Sequence, residues 1–218
     1  MKKLSIIFLF AALSASAQND LPVKLLAGTD TSKAIIFYIT GDGGWNNFST
    51  ALATALHAKG YTVAGLNAKN YFWQKRTPEE TAAAIGQYIE TVLHPAAAQP
   101  VTLVGYSFGA DVIPFLTDKL SAAIRPHVHA VVLLSPSATT DFEIHVSELL
   151  GWNKKRSMDV PAAVNAMTGV KINAVFGDDE TEFPLSSVRN RNFMYRRLPG
   201  GHHYEGNINM VAAAVIAG

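Results

Sequence analysis

Cysteine is missing from all 218 residues, which removes disulfides, thiolate metal sites and cysteine nucleophiles together. A charge excess of one sign is missing too: 18 lysines and arginines face 17 acidic residues, a formal net charge of +1. Nucleic-acid binders carry a clustered basic excess, and this balance supplies none. Lys154-Lys155-Arg156 and the arginines Arg189, Arg191, Arg196 and Arg197 read instead as solvated faces. His127 and His129 alternate along one strand face without a third ligand at metal spacing, so no metal is expected, and no cofactor either. Repeats and low-complexity linkers are absent between Leu21 and Gly218, which predicts one domain over residues 18–218.

Met1-Lys2-Lys3, the apolar run from Leu4 to Leu13 and Ala15-Ser16-Ala17 form the basic, apolar and small-residue regions of a secretory signal over residues 1–17. The apolar part is too short to span a bilayer. Cleavage after Ala17 would remove Lys2 and Lys3 and turn the net charge slightly negative. An exported chain without disulfides must rely on its core, and 49% hydrophobic content at this length is enough for one.

Strand-like and helix-like segments alternate at the spacing of βαβ units, predicting an α/β fold with a mostly parallel sheet covered by helices on both faces. Ala34 to Ile39 is the first strong strand, an unbroken apolar run of the kind a doubly covered sheet requires. Phe48, Leu52 and Leu56 then recur at four-residue intervals in a helix that stops at Gly60, and Tyr61 to Leu66 forms the next strand. Thr77-Pro78-Glu79-Glu80 opens a helix with a hydroxyl cap, a proline at its first position and carboxylates in the first turn. Val101 to Val104 and Val128 to Leu134 are further buried strands, Lys171 to Phe176 the penultimate one and Phe193 to Leu198 the last, before a helix over Ile208 to Ile216. The segment 137–168, with alternation at Phe142 to Val146 and a polar loop around Trp152, is the expected site of a short cap insertion.

Four mostly apolar residues run straight into Gly105-Tyr-Ser107-Phe-Gly109 and then into a helical pattern predicted to reach about Leu120, with Pro114 kinking it. A G-x-S-x-G turn between a strand and a helix is the nucleophile elbow of α/β-hydrolases, so Ser107 is the candidate nucleophile. In a parallel sheet ligands bind beyond the carboxyl ends of the strands, and the other reactive residues fall at such ends. Asp179 and Glu180 follow the penultimate strand, and adjacency leaves both open as the acid. His202 and His203 follow the last; His202, directly after two glycines, is the favoured base, with His203 the alternative. The order serine, acid, histidine is the one α/β-hydrolases use. Oxyanion donors are expected at the N–H of Phe108 and, in the glycine-rich loop after the first strong strand, at Gly43 or Gly44. Asp42, Trp45, Tyr71, Phe72 and Trp73 lie in loops on the ligand side as candidate substrate contacts. Asp111 either favours the helix dipole or reaches substrate.

Together, Gly41-Asp-Gly-Gly-Trp45, Tyr71-Phe-Trp73 with Arg76-Thr-Pro-Glu79, Gly105-Tyr-Ser-Phe-Gly-Ala-Asp111 with Pro114, Asp141-Phe-Glu-Ile144 and Pro199-Gly-Gly-His-His203 resemble the bacterial virulence protein VirJ family, which includes the C-terminal domain of AcvB. The resemblance runs from about Lys33 to Gly206 and implies an exported, periplasmic α/β-hydrolase whose serine falls on Ser107 and whose histidine falls on the His202-His203 pair. It further implies hydrolysis of aminoacylated phosphatidylglycerol, chiefly the lysyl form, with Asp42, Asp111 or Glu143 as attractors for the cationic group. Two alternatives stand beside this expectation, the first of them from another class. One is a VirJ-like protein that binds type IV secretion substrates or machinery without catalysis; the other is a general carboxylesterase or thioesterase.

Overall fold

A computed structural model describes residues 21–144 and 156–218; the N-terminal signal pattern, Val146, Trp152, Lys154 and Lys155 lie outside the described residues. The strands are β1 (Val23–Leu26), β2 (Ile35–Ile39), β3 (Val63–Leu66), β4 (Val101–Tyr106), β5 (Val128–Leu134), the short β6 (Thr139–Thr140) and β7 (Met158–Asp159), β8 (Lys171–Gly177) and β9 (Phe193–Leu198). The main sheet has 7 strands in the order β1-β3-β2-β4-β5-β8-β9. Its neighbours are parallel except that β1 runs antiparallel to β3. β1 is a short edge strand with two exposed residues, and its weak pattern is why sequence reading begins the sheet at Ala34.

Every residue of β2 is buried, yet its two faces enter different cores. Ile35, Phe37 and Ile39 join Ile85 and Ile89 on one side, whereas Ile36 and Tyr38 join Leu52, Leu56, Val211 and Val215 on the other. That split follows from the two-residue period of a strand, and it places helices on both faces as the alternation predicts. On the second side lie α1 (Asn47–Ala58) and the C-terminal helix Ile208–Ile216. Asn46 caps α1 by accepting the Ser49 N–H at 2.9 Å. After α2 (Ala68–Tyr71), α3 (Pro78–Tyr88) starts in a capping box of Thr77 and Glu80, continues as a π-helical turn over Ile89–Leu93, and stops at His94 in the left-handed region.

The helix after Ser107 differs from expectation. Instead of running kinked to Leu120, α4 covers only Phe108–Val112 and gives way to 3₁₀ turns at Ile113–Phe115 and Thr117–Lys119. Pro114 has no N–H to donate and its ring excludes the α-helical carbonyl, so the tighter turn replaces a kink. In the cap region β6 pairs with β7, followed by α5 (Val160–Ala166) capped by Asp159.

The chain leaves β2 for β3 on one side and then crosses back to β4 on the other. Loops after β2 and β4 therefore diverge, opening a crevice at the carboxyl ends of the sheet. Among the described residues no helix is long and apolar enough to cross a membrane.

Candidate active site

Ser107 sits at the tip of the β4–α4 turn with φ 53 and ψ −120, a conformation a side-chain-bearing residue adopts only when its surroundings impose it. Its flanking glycines explain how. A Cβ on Gly105 would fall inside the Gly109 backbone, and one on Gly109 would fall inside the Ile39 carbonyl, so α4 can approach the sheet only with both side chains absent. The Ser107 N–H donates to the Leu134 carbonyl at 2.8 Å, pinning the turn to β5.

From three separate strand ends, a continuous hydrogen-bonded chain forms. His202 Nε2 lies 2.8 Å from Ser107 Oγ, and His202 Nδ1 lies 2.8 Å from Glu180 Oε1. An ionised carboxylate can only accept, so the imidazole proton resides on Nδ1 and Nε2 presents a lone pair to the serine hydroxyl. Such an arrangement can withdraw the proton from Oγ as the oxygen attacks an electrophile.

The electrostatics favour that tautomer. Burial acts to raise the Glu180 carboxyl, but hydrogen bonds from His202, the Gly177 N–H and Ser135 outweigh it and hold the group below its ordinary value. The hydrogen bond to Glu180 lifts the His202 imidazole above its ordinary value against burial, and the charges of Glu180, Asp111 and Asp42 add to the effect.

Of the two adjacent carboxylates only Glu180 reaches the imidazole; Asp179 is exposed. The Glu180 N–H donates to the Gly177 carbonyl at 3.1 Å, and this tight turn brings the third residue after Gly177, not the second, back over the sheet. Similarly, the exposed His203 ring stands edge-on to Phe48 at 6.1 Å between centroids, whereas His202 faces the serine.

The glycine-loop expectation needs correcting at Gly44. Gly44 N–H donates to the Gly41 carbonyl at 2.9 Å inside its own turn, and Gly43 faces the Asn46 side chain. Gly41 is the residue that abuts Ser107, a Cβ there falling 3.4 Å from the serine Cβ. Since the Gly41 carbonyl points into the turn, the N–H of the same trans peptide, on Asp42, points away from it. On the other side, Phe108 begins α4, so its N–H belongs to the unsatisfied first turn of a helix.

Several expected substrate contacts are structural. Trp45 lays its indole where a Gly65 side chain would be and meets Tyr38 edge-on at 6.3 Å. Phe72 is fully buried against Phe108 and Phe142, and Tyr71 packs beneath the Arg76 guanidinium at 4.9 Å. The aromatic run thus buries its first two rings in the core and leaves only Trp73 outward, 52% exposed. Asp111 has no exposed surface for a substrate to touch: Oδ1 accepts the Ser137 N–H at 2.6 Å and Oδ2 lies 3.8 Å from Arg156. Burial pushes its carboxyl up to about 7, opposed by the Ser137 N–H and the Arg156 charge.

Sequence reading missed four supports of this site. Tyr106 donates its hydroxyl to the His202 carbonyl at 3.1 Å, with its ring tilted over the imidazole. Ser135 contacts the far side of Glu180, and Tyr204 contacts Ser135. Arg197, grouped with solvated arginines on sequence grounds, instead donates to the carbonyls of Gly177 at 2.9 Å and Glu180 at 2.7 Å. Ser135-Pro136 at the end of β5 was the available signal, a polar residue where an apolar run stops at the ligand side. A cavity of about 290 Å³ opens beside His202 and Glu180, with Phe176 and Phe183 among its walls and Asp179 and Glu182 supplying carboxylates.

Comparison with known proteins agrees with this fold. The esterase domain of a Rhodothermus marinus protein superposes with a TM-score of 0.64 at 14% identity, covering 90% of this chain and 91% of that one. Est1E from Butyrivibrio proteoclasticus, with ferulic acid bound, gives 0.61 at 15% identity, covering 90% and 93%. These likenesses establish the α/β-hydrolase fold. Mouse sn-1-specific diacylglycerol lipase ABHD11 is 28% identical over 149 residues, 64% of this chain and 47% of the lipase, so the chain spans about half the length of that curated relative. Residues 33–218 match the family described as "Bacterial virulence protein (VirJ)", and with that coverage the chain belongs to the VirJ family.

Proposed function

We propose that this chain is a periplasmic serine esterase that cleaves the aminoacyl ester of an aminoacyl-phosphatidylglycerol such as the lysyl form. The observation that carries the catalytic part is the unbroken Ser107–His202–Glu180 chain, with both contacts at 2.8 Å. Ser107 Oγ attacks the aminoacyl carbonyl while His202 Nε2 takes its proton. The Phe108 and Asp42 N–H groups receive the developing oxyanion, each such donor being worth ~3 kcal/mol. His202 then protonates the departing glycerol oxygen, a water deprotonated by the same nitrogen attacks the acyl-serine, and the free amino acid leaves. Glu180 holds the imidazole tautomer and balances its transient positive charge.

Support for a lipid ester comes from the mouse relative, a diacylglycerol lipase by name. Support for a cationic acyl group comes from Asp179 and Glu182 in the cavity beside His202. The signal pattern of residues 1–17 supports export. Purified protein mixed with lysyl-phosphatidylglycerol vesicles should release lysine, and Ser107→Ala should lose on the order of 10⁴-fold or more in rate. Equal release by both proteins would refute the reading. Turnover of simple aryl esters with no preference for the lipid would replace it with a general carboxylesterase. A pull-down of secretion components that does not depend on Ser107, with no fluorophosphonate labelling, would replace it with a binding role.

A further inference from the structure

Glu180 has a second oxygen that His202 does not use, and its surroundings are unusually complete. Oε2 accepts the Gly177 N–H at 2.6 Å and lies 2.8 Å from Ser135 Oγ. Ser135 Oγ in turn lies 2.7 Å from the Tyr204 hydroxyl, which lies 2.9 Å from the Val175 carbonyl. Ser135 and Tyr204 are each 1% exposed, so water does not compete for these contacts.

Proton counting gives this chain a direction. Each hydroxyl has one hydrogen, and an ionised Glu180 can only accept, so Ser135 turns its hydrogen to Oε2. The tyrosine hydrogen, which can serve either the Val175 carbonyl at 2.9 Å or the closer Ser135 Oγ at 2.7 Å, then fills the contact between the two hydroxyls. Val175 does not lose by this, since its carbonyl already accepts the Ser135 N–H at 2.8 Å. Hydrogen bonds to an ionised group are roughly twice as strong as neutral ones, so the chain is most stable pointing at the carboxylate.

Backbone geometry shows the arrangement is imposed. Ser135 has φ 50 and Tyr204 has φ 51, both in the left-handed region that side-chain-bearing residues seldom occupy. Tyr204 also stands two residues beyond His202, so the relay joins the loop that supplies the base to the loop that supplies the acid, closing a ring around the Glu180–His202 hydrogen bond.

We propose that Ser135 and Tyr204 are positioning residues, whose hydroxyl chain on Glu180 Oε2 fixes the carboxylate and thereby aims His202 at Ser107. Its catalytic consequence rests on the esterase reading above; its structural content does not. His202 is faced by Glu180 from the β8 loop, Asp42 from the β2 loop, Asp111 from α4 and Tyr106 from β4, with His203 beside it in the chain. Among these only Glu180 is touched by the relay.

The left-handed backbone at Ser135 supplies a clean variant. Glycine adopts φ 50 without strain, so Ser135→Gly removes the hydroxyl while relaxing the main chain. Tyr204→Phe removes only the terminal oxygen and leaves the ring packed near Phe48. Both should fold, as judged by circular dichroism and thermal melting. The imidazole titration of His202, followed by NMR without any substrate, should move to higher pH in each variant, because a carboxylate that has lost hydroxyl donation on Oε2 keeps more of its negative charge for the imidazolium. In turnover, kcat should fall on the order of 10-fold with KM unchanged, and the double variant should cost little more than Ser135→Gly, since Tyr204 acts through Ser135. An unmoved His202 titration in both folded single variants overturns the proposal, whatever the turnover shows. Loss of turnover in the parent protein overturns the esterase reading and leaves the NMR arm to decide this one.

Discussion

Glu180→Gln is the most informative single change, because the structure assigns different donors to the two carboxylate oxygens. Oε1 faces the Nδ1–H of His202 and Oε2 faces the Gly177 N–H and Ser135. A glutamine has one carbonyl oxygen and one NH₂ for these two positions. Placing the NH₂ toward Gly177 would oppose two donors with a donor. The amide therefore turns its oxygen there and its NH₂ toward His202. Nδ1 must then accept, so the ring proton moves to Nε2, and Ser107 is left facing a donor in place of a base. The charge that stabilises the imidazolium is lost in the same step. In serine proteases the equivalent wrong-tautomer substitution lowers kcat about 10⁴-fold, and a similar loss here corresponds to roughly 5 kcal/mol of barrier. The folded structure should tolerate the swap, which is nearly isosteric. Steady-state hydrolysis of an aryl ester and of lysyl-phosphatidylglycerol should both fall by 10³ to 10⁴, approximately and in parallel. Asp179→Asn, which removes an exposed carboxylate, should stay within a few-fold on the aryl ester. A Glu180→Gln enzyme within 10-fold of its parent, or a larger loss at Asp179, would refute the assignment of the acid.

Ser107→Gly should abolish turnover yet raise stability, since φ 53 is free for glycine; relief of roughly 1 kcal/mol should appear as a few degrees in Tm by scanning calorimetry. Asp111→Asn should stabilise the protein in alkaline solution. The folded carboxyl titrates near 7 against 3.8 for its ordinary value, so the folded state favours the protonated form, and the parent loses stability as pH rises through that window while the amide does not. Denaturant titrations at pH 4 and pH 8 should show the variant's advantage only at the higher pH; an equal effect at both would exclude burial as the cause. Asp179→Asn combined with Glu182→Gln should raise KM for a lysyl ester several-fold and leave KM for a neutral alanyl ester unchanged, and parallel changes would remove the cavity from substrate recognition.

Patterns that depend on nearest neighbours along the chain were legible in the sequence. Continuous apolar runs gave the central strands, the Thr77–Glu80 cap gave the start of α3, and the glycine spacing around Ser107 gave the turn that displays it. Quantities set in three dimensions were not. Choosing Glu180 over Asp179 requires knowing how tightly the turn after Gly177 curls, and choosing between histidines requires the direction of one loop. Tyr71 and Phe72 carry the same apolar signal whether they line a pocket or fill a core; only the positions of Phe108 and Phe142 decide. Ser135, Tyr204 and Arg197 escaped notice because each acts through a partner distant in sequence, and Arg197 has the composition of a surface residue. Pro114 was recognised as a disruption, but whether the helix bends or ends depends on the packing available beyond it.

Arg197 grips the turn after Gly177 solely through carbonyl oxygens, and this has a consequence for how such a protein can diverge. A clasp on main-chain atoms is indifferent to which side chains the turn displays, and it leaves the negative charge of Glu180 undiminished. Residues 178 and 179 are therefore at liberty to drift toward new ligands while the neighbouring carboxyl keeps its station. Selectivity and reactivity, though one peptide bond apart, can be retuned separately.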